Sequence, residues 1–176
     1  MFRELGAAIV DADEAAHAVY ASGTPGFDAV VREFGPQFVR DGAIDRRQLG
    51  DYVFNDPQAL ARLNAIVHPL VRQWMAERTV EAAEQGADVV IQDVPLLFEN
   101  GLQGLYSTTV LVHASPATQV RRLVERGVPR ARAKAILGSQ MPIDEKRALA
   151  SHVIDNDGMR ESTRTQVEEV WREISR

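Results

Sequence analysis

Four strand-length apolar runs, separated by helical patterns, constrain this chain more than any other feature. Gly6 to Val10 is the first, Asp88 to Gln92 the second, Thr108 to Val112 the third and His152 to Ile154 the fourth. The second and third are continuous and β-branched rather than alternating, which marks strands buried on both faces. Ala15, Ala16 and Val19 follow the first run at helical spacing, and Ser115-Pro116 opens an amphipathic helix after the third. A further Arg/Ala-rich helix covers about 130–139, and Val167, Val170 and Ile174 mark a terminal helix. Short apolar strands alternating with helices predict an α/β fold around a parallel sheet.

Between Ser22 and about Gln85 the pattern turns wholly helical. Phe27, Val30, Val31 and Phe34 share one face, as do Leu60, Leu63, Ile66 and Val67. Gly23, Pro25, Gly35, Pro36, Gly42 and Pro57 punctuate the stretch, and Pro69 should start or kink a helix running through Trp74 and Val80. We read residues 22–85 as a helical insertion within one domain spanning 1–176. That length, with 45% hydrophobic residues, suffices for one well-buried core.

Charge and composition narrow the function. A formal charge of −5 leaves no basic stripe for sequence-independent nucleic-acid binding, so duplex DNA and RNA are not expected partners. Of the 20 Lys and Arg residues only Lys134 and Lys146 are lysine, which fits either a GC-rich genome or planar recognition of phosphates. With no cysteine, disulfides and thiolate metal sites are excluded. No signal-peptide pattern or membrane-length apolar run occurs, and a cytosolic protein with no membrane partner is expected.

In parallel α/β sheets ligands collect at the carboxyl ends of the strands. Here those ends deliver acids: Asp11 and Asp13 after the first strand, Asp93 after the second, and Asp155-Asn156-Asp157-Gly158 after the fourth. Such a cluster suits a magnesium ion and a proton acceptor for an attacking hydroxyl, and phosphoryl transfer needs mainly positioning and charge neutralisation. Each acid also has an ordinary structural reading. Asp11-x-x-Glu14 fits a capping box, Asp13 would complement the helix dipole, and Asp93 would cap a strand end. On the helix after the third strand, Arg122 and Arg126 stand at i, i+4, where like charges repel unless an anion or Glu125 compensates. His68 and Arg72, one turn apart, form a further anion site unless His68 is satisfied within the core. His17, His113 and His152 are too scattered to suggest a metal site.

Taken together the blocks Val10-Asp11-Ala12-Asp13, Ser22-Gly23-Thr24-Pro25-Gly26, Phe54-Asn55-Asp56-Pro57, Ile66-Val67-His68-Pro69-Leu70-Val71-Arg72, Asp93-Val94-Pro95-Leu96-Leu97-Phe98-Glu99, Gln140-Met141-Pro142 and Val153-Ile154-Asp155-Asn156 resemble the dephospho-coenzyme A kinase family nearly end to end. The resemblance implies a P-loop kinase fold, similar to nucleoside monophosphate kinases, with a helical substrate domain and an Arg-bearing lid. It implies ATP-dependent phosphorylation of the ribose 3′-hydroxyl of dephospho-CoA, the last step of coenzyme A synthesis, with ATP as co-substrate and Mg2+. By the same resemblance Asp13 is the catalytic base, and Asp11 and Asp93 lie near metal and substrate. His68 and Arg72 lie on the substrate side, Arg122 and Arg126 are lid residues that neutralise transferring phosphate, and Asn156 lies in the loop that packs against adenine.

The chain departs from the family in lacking a first strand and a G-x-x-x-x-G-K-[ST] loop. We expect a translation start assigned to an internal methionine, weak or no kinase activity in these residues alone, and unpaired strand edges that favour aggregation. The alternative is a non-catalytic module that binds CoA-like ligands or another protein.

Overall fold

The computed structural model describes residues 1–176 and resolves them into two compact units, residues 8–94 and residues 1–7 with 95–176. In the first unit β1 (Ala8–Asp11) leads directly into α1 (Ala12–Val19), and α2 (Pro25–Phe34) follows. A small hairpin, β2 (Val39–Arg40) and β3 (Ala43–Ile44), precedes α3 (Arg46–Phe54), the long α4 (Pro57–Glu84) and β4 (Val90–Asp93). β1 and β4 pair in parallel, with Ala8 opposite Val90 and Asp11 opposite Asp93.

Helix starts in this unit are written in the sequence. Thr24 caps α2, its hydroxyl accepting from Phe27 N–H at 3.1 Å and donating to the Val19 carbonyl at 2.9 Å. Asp45 caps α3 and Asp56 caps α4, where Pro57 occupies the first helical position and forfeits only an N–H that has no intrahelical partner. Gly26, one residue into α2, has a packing reason. A Cβ there would stand 2.0 Å from the Val19 carbonyl oxygen and 2.9 Å from a Leu70 methyl, so the close approach of α2 to the end of α1 tolerates no side chain.

Three expectations are corrected here. The stretch 22–85 is not wholly helical, because β2 and β3 form an antiparallel hairpin turning on Asp41 and Gly42, both at positive φ. The Asp-Gly dipeptide was the available signal, but two-residue strands leave no periodicity to read. Pro69 starts no helix: α4 runs through it for 28 residues, the ring forfeiting one backbone bond that long flanking turns absorb. Leu60 is 40% exposed, and the fully buried position is its neighbour Ala59. Leu63 and Ile66 do join the core of Val30, Phe34, Phe38, Ile44, Leu49 and Val53. A second cluster, Val10, Ala15 and Met75, fixes β1 and α1 against α4.

The other unit holds β5 (Val110–His113), α5 (Pro116–Glu125), α6 (Arg130–Gly138), α7 (Ile143–Leu149), β6 (His152–Asp155) and α8 (Arg160–Ile174). β5 and β6 pair in parallel with His113 opposite Asp155. Ile154, fully buried, packs with Val167 and Val170 of α8 and with Met1, Phe2 and Leu5 from a short 3-10 turn (Phe2–Leu5) at the start of the chain. Thr109 and Ser151 close the entry to both strands, Ser151 N–H donating to Thr109 Oγ1 at 3.0 Å. The four expected parallel strands thus exist, each beginning up to two residues later than its apolar run and extending one residue further into the acid or histidine that follows. No helix is long and apolar enough to cross a membrane.

Each parallel sheet has only two strands, so β4 pairs with β1 alone and β5 with β6 alone. Two-stranded sheets are marginal and leave a row of backbone donors and acceptors unpaired on each edge strand. Val112, on β5, is 55% exposed despite its apolar side chain. Val112→Lys should therefore reduce self-association measured by sedimentation velocity; unchanged association would place the sticky surface elsewhere. In the first unit, Gly26→Ala should cost about 1–3 kcal/mol in urea unfolding through overpacking, and a neutral result would mean that α2 shifts freely.

Candidate active site

Parallel register brings the acids together. Asp11 ends β1, Asp93 stands opposite it at the end of β4, and Asp13 lies in the first turn of α1. Asp11 is the N-cap of α1, its Oδ1 accepting from Asp13 N–H at 2.7 Å and from Glu14 N–H at 3.4 Å. The capping reading is therefore right, and it orients the carboxylate rather than consuming it, since Oδ2 makes no hydrogen bond. Asp93 caps nothing and retains solvent contact. The surrounding protein nevertheless strips part of its hydration, and this, followed by the charges of Asp11 and then Asp13, pushes its carboxyl above the usual aspartate range. None of the three acids has an ion-pair partner. Hard oxygen donors carrying uncompensated negative charge fit a divalent cation such as Mg2+.

His68 and Arg72 lie one turn apart on α4 and are both exposed, with no hydrogen bond or ion pair. His68 is thus not a histidine satisfied within the core, and both side chains are free to meet an anion.

In the other unit, Arg122 reaches from α5 to the loop after β6, its Nη2 donating to the Asn156 carbonyl at 2.7 Å. Asn156 N–H in turn donates to the His113 carbonyl at 2.8 Å, and Asn156 Oδ1 accepts from Thr163 Oγ1 at 3.2 Å. Of the arginines on this helix Glu125 faces Arg121, at 3.8 Å, and compensates neither Arg122 nor Arg126. Arg122 is relieved by a carbonyl instead, whereas Arg126, the C-cap of α5, is exposed and unpaired.

Two groupings escaped the sequence. His113, Asp155 and Asp157 place ligand atoms within 4.8 Å of one another, so His113 is not isolated. Pairing of β5 with β6 creates this grouping, and linear spacing cannot show it. Asp157 is already committed, accepting from Ser115 N–H at 2.8 Å and Ser115 Oγ at 2.9 Å, and Thr118 and then Ser115 hold its carboxyl below the usual range. The trio thereby braces the start of α5. The second grouping is an ion pair 2.5 Å long between Glu99 and the buried Lys146. Its only sequence signal was that Lys146 is one of two lysines in an Arg-rich chain.

The raised Asp93 carboxyl carries a stability consequence with a definite sign. The folded state binds this proton more tightly than the unfolded chain, so its contribution is present below the ordinary value of 3.8 and is lost as pH rises through the folded value. Asp93→Asn should therefore raise Tm at neutral pH, by an amount that shrinks as pH falls toward 3.8. A pH-independent difference in calorimetry would contradict this origin.

Comparison with known proteins agrees with this geometry. A family model for dephospho-CoA kinase matches residues 1–162. The dephospho-CoA kinase of Streptomyces avermitilis is 47% identical over 173 residues, covering 97% of this chain and 83% of the relative. That of Symbiobacterium thermophilum is 43% identical over 174 residues, covering 98% and 73%. Among solved structures, TT1252 from Thermus thermophilus superposes with a TM-score of 0.83 at 35% identity, and dephospho-CoA kinase from Campylobacter jejuni with 0.70 at 25%, each covering 98% of this chain and 87% of the other. Acids at the ends of parallel strands, a helical segment following them and a family match over nearly the whole length lead to one conclusion: the chain belongs to the dephospho-CoA kinase family.

Proposed function

We propose that the chain acts in ATP-dependent phosphorylation of the ribose 3′-hydroxyl of dephospho-CoA, giving coenzyme A and ADP. The observation that carries this reading is the set of three uncompensated carboxylates at the ends of β1 and β4. Asp13 accepts the proton of the 3′-hydroxyl as its oxygen attacks the γ-phosphorus of ATP; the new O–P bond forms as the bond to the β,γ-bridging oxygen breaks, and ADP leaves. Asp13 suits this role because no ion pair occupies it, while its neighbours Asp11 and Asp93 would hold Mg2+, which neutralises phosphate charge. The exposed His68 and Arg72 supply donors for the anionic groups of dephospho-CoA. Arg126 offers a free guanidinium to transferring phosphate, Arg122 keeps further donors beyond the one given to the Asn156 carbonyl, and the loop at Asn156 would pack against adenine. Substrates of this kind belong in the cytoplasm, and neither nucleic acid nor membrane has a part.

The sequence contains no G-x-x-x-x-G-K-[ST] stretch, so among these residues no glycine-rich loop cradles the phosphates of ATP. Transfer by the 176 residues alone should accordingly be slight, and joining a strand and G-x-x-x-x-G-K-[ST] loop ahead of them should raise it. A second reading is a non-catalytic module that binds CoA-like ligands, for which the exposed, unpaired His68 and Arg72 would serve. It predicts dephospho-CoA binding by calorimetry and no turnover in either form.

In the loop-bearing form, Asp13→Asn should lower kcat about 10²–10⁴-fold, the span expected for loss of a general base, and leave the Kd for dephospho-CoA unchanged. Undiminished ADP release would remove Asp13 from the mechanism.

A further inference from the structure

α6 carries Arg130, Arg132 and Lys134, yet neither it nor α7 is capped by a side chain: Pro129 and Pro142 stand at their N-caps without a hydrogen bond. At the joint between them Ser139 and Gln140 bond back to carbonyls of α6, and a partner for Met141 has to come from elsewhere. It comes from Glu99, whose Oε1 accepts both from Lys146 Nζ at 2.5 Å and from Met141 N–H at 3.2 Å. A single oxygen thus ties together three points of the chain, the segment after β4, the α6–α7 joint and the body of α7. Both partners are withdrawn from water, with side-chain exposures of 8% for Lys146 and 17% for Glu99. The second oxygen, Glu99 Oε2, is buried without a protein partner. Burial pushes the Glu99 carboxyl up, but the Lys146 hydrogen bond leads the effects that hold it below the usual range, so it stays ionised.

An ion pair this dry is a poor source of stability, because desolvating both charges offsets much of their attraction and apolar residues of similar volume hold helices together as well. What it supplies that apolar packing does not is direction: charge-assisted hydrogen bonds fix angle and register where a greasy contact slides. We infer that Glu99 and Lys146 are positioning residues that lock the α6–α7 joint, and so fix where the cationic helix α6 stands. The lock is a property of these residues alone; its use in phosphoryl transfer rests on the kinase reading above.

The test separates position from stability. In the double variant Glu99→Leu/Lys146→Met, volume is kept and no charge is left stranded, so the chain should fold with a Tm close to the wild type. Amide exchange at Met141 and along 130–138 should nevertheless speed up about 10-fold or more as the local opening becomes easier, while Lys146→Arg, which keeps the charge and the hydrogen bond, should retain slow exchange. If the apolar double variant protects Met141 and α6 as well as the wild type does, the pair is ordinary packing and the inference falls. In the loop-bearing form, kcat/KM for ATP should drop in step with the faster exchange, by up to about 100-fold, while the Kd for dephospho-CoA stays put. Unchanged kcat/KM beside faster exchange would overturn the catalytic use of the lock. A wild-type loop-bearing form without turnover would count against the kinase reading, with the exchange data still deciding the lock.

Discussion

Parallel, in-register pairing of Ala8–Asp11 with Val90–Asp93 is the constraint on which the acidic edge depends. The ladder sets Asp11 opposite Asp93, and a shift by one residue would turn every side chain of the strand to the other face. It also aims β1 straight into α1, so that Asp11 both ends a strand and caps a helix. Capping gives the carboxylate a fixed direction, with one oxygen bound to backbone and the other left open. Ala15 and Met75, buried beside Val10, hold that geometry from behind.

The same pairing creates a tension. Partial dehydration first, and then repulsion from Asp11 and Asp13 with no cation among them, raise the proton affinity of Asp93. A chain selected only for stability would place a lysine or an amide there. Retaining the acids makes sense where a cation would compensate them, the usual exchange of local stability for chemistry. In the other unit charged groups are anchored by neutral ones: Arg122 donates to the Asn156 carbonyl and Asp157 accepts from Ser115, so that hydrogen bonds orient both without cancelling their charge.

Much of this was legible in the chain. Short apolar runs marked all four parallel strands, although burial on both faces was not met: no residue of β4 is fully buried and Val112 of β5 is 55% exposed, because each sheet has only two strands. Asp-x-x-Glu at Asp11 marked the start of α1, since an uncapped first turn leaves backbone donors unsatisfied. The hairpin at Asp41-Gly42 was hidden by its brevity, and uninterrupted passage of α4 through Pro69 by the fact that one missing bond is cheap within a long, packed helix. Leu60 was misplaced by one position because a wide apolar stripe offers more candidates than the core can take.

The sequence by itself determined most of the strand and helix pattern, the acids at the strand ends and the blocks that carry the family likeness, all of which are local in the chain. Tertiary structure decided which charges meet. Glu99 with Lys146 and Met141, His113 with Asp155 and Asp157, and Arg122 with Asn156 are separated by 34 to 47 residues, and only strand pairing and helix packing bring them within bonding reach. Charge interactions act through space and fall off with distance, so they become readable only once the backbone has fixed those distances.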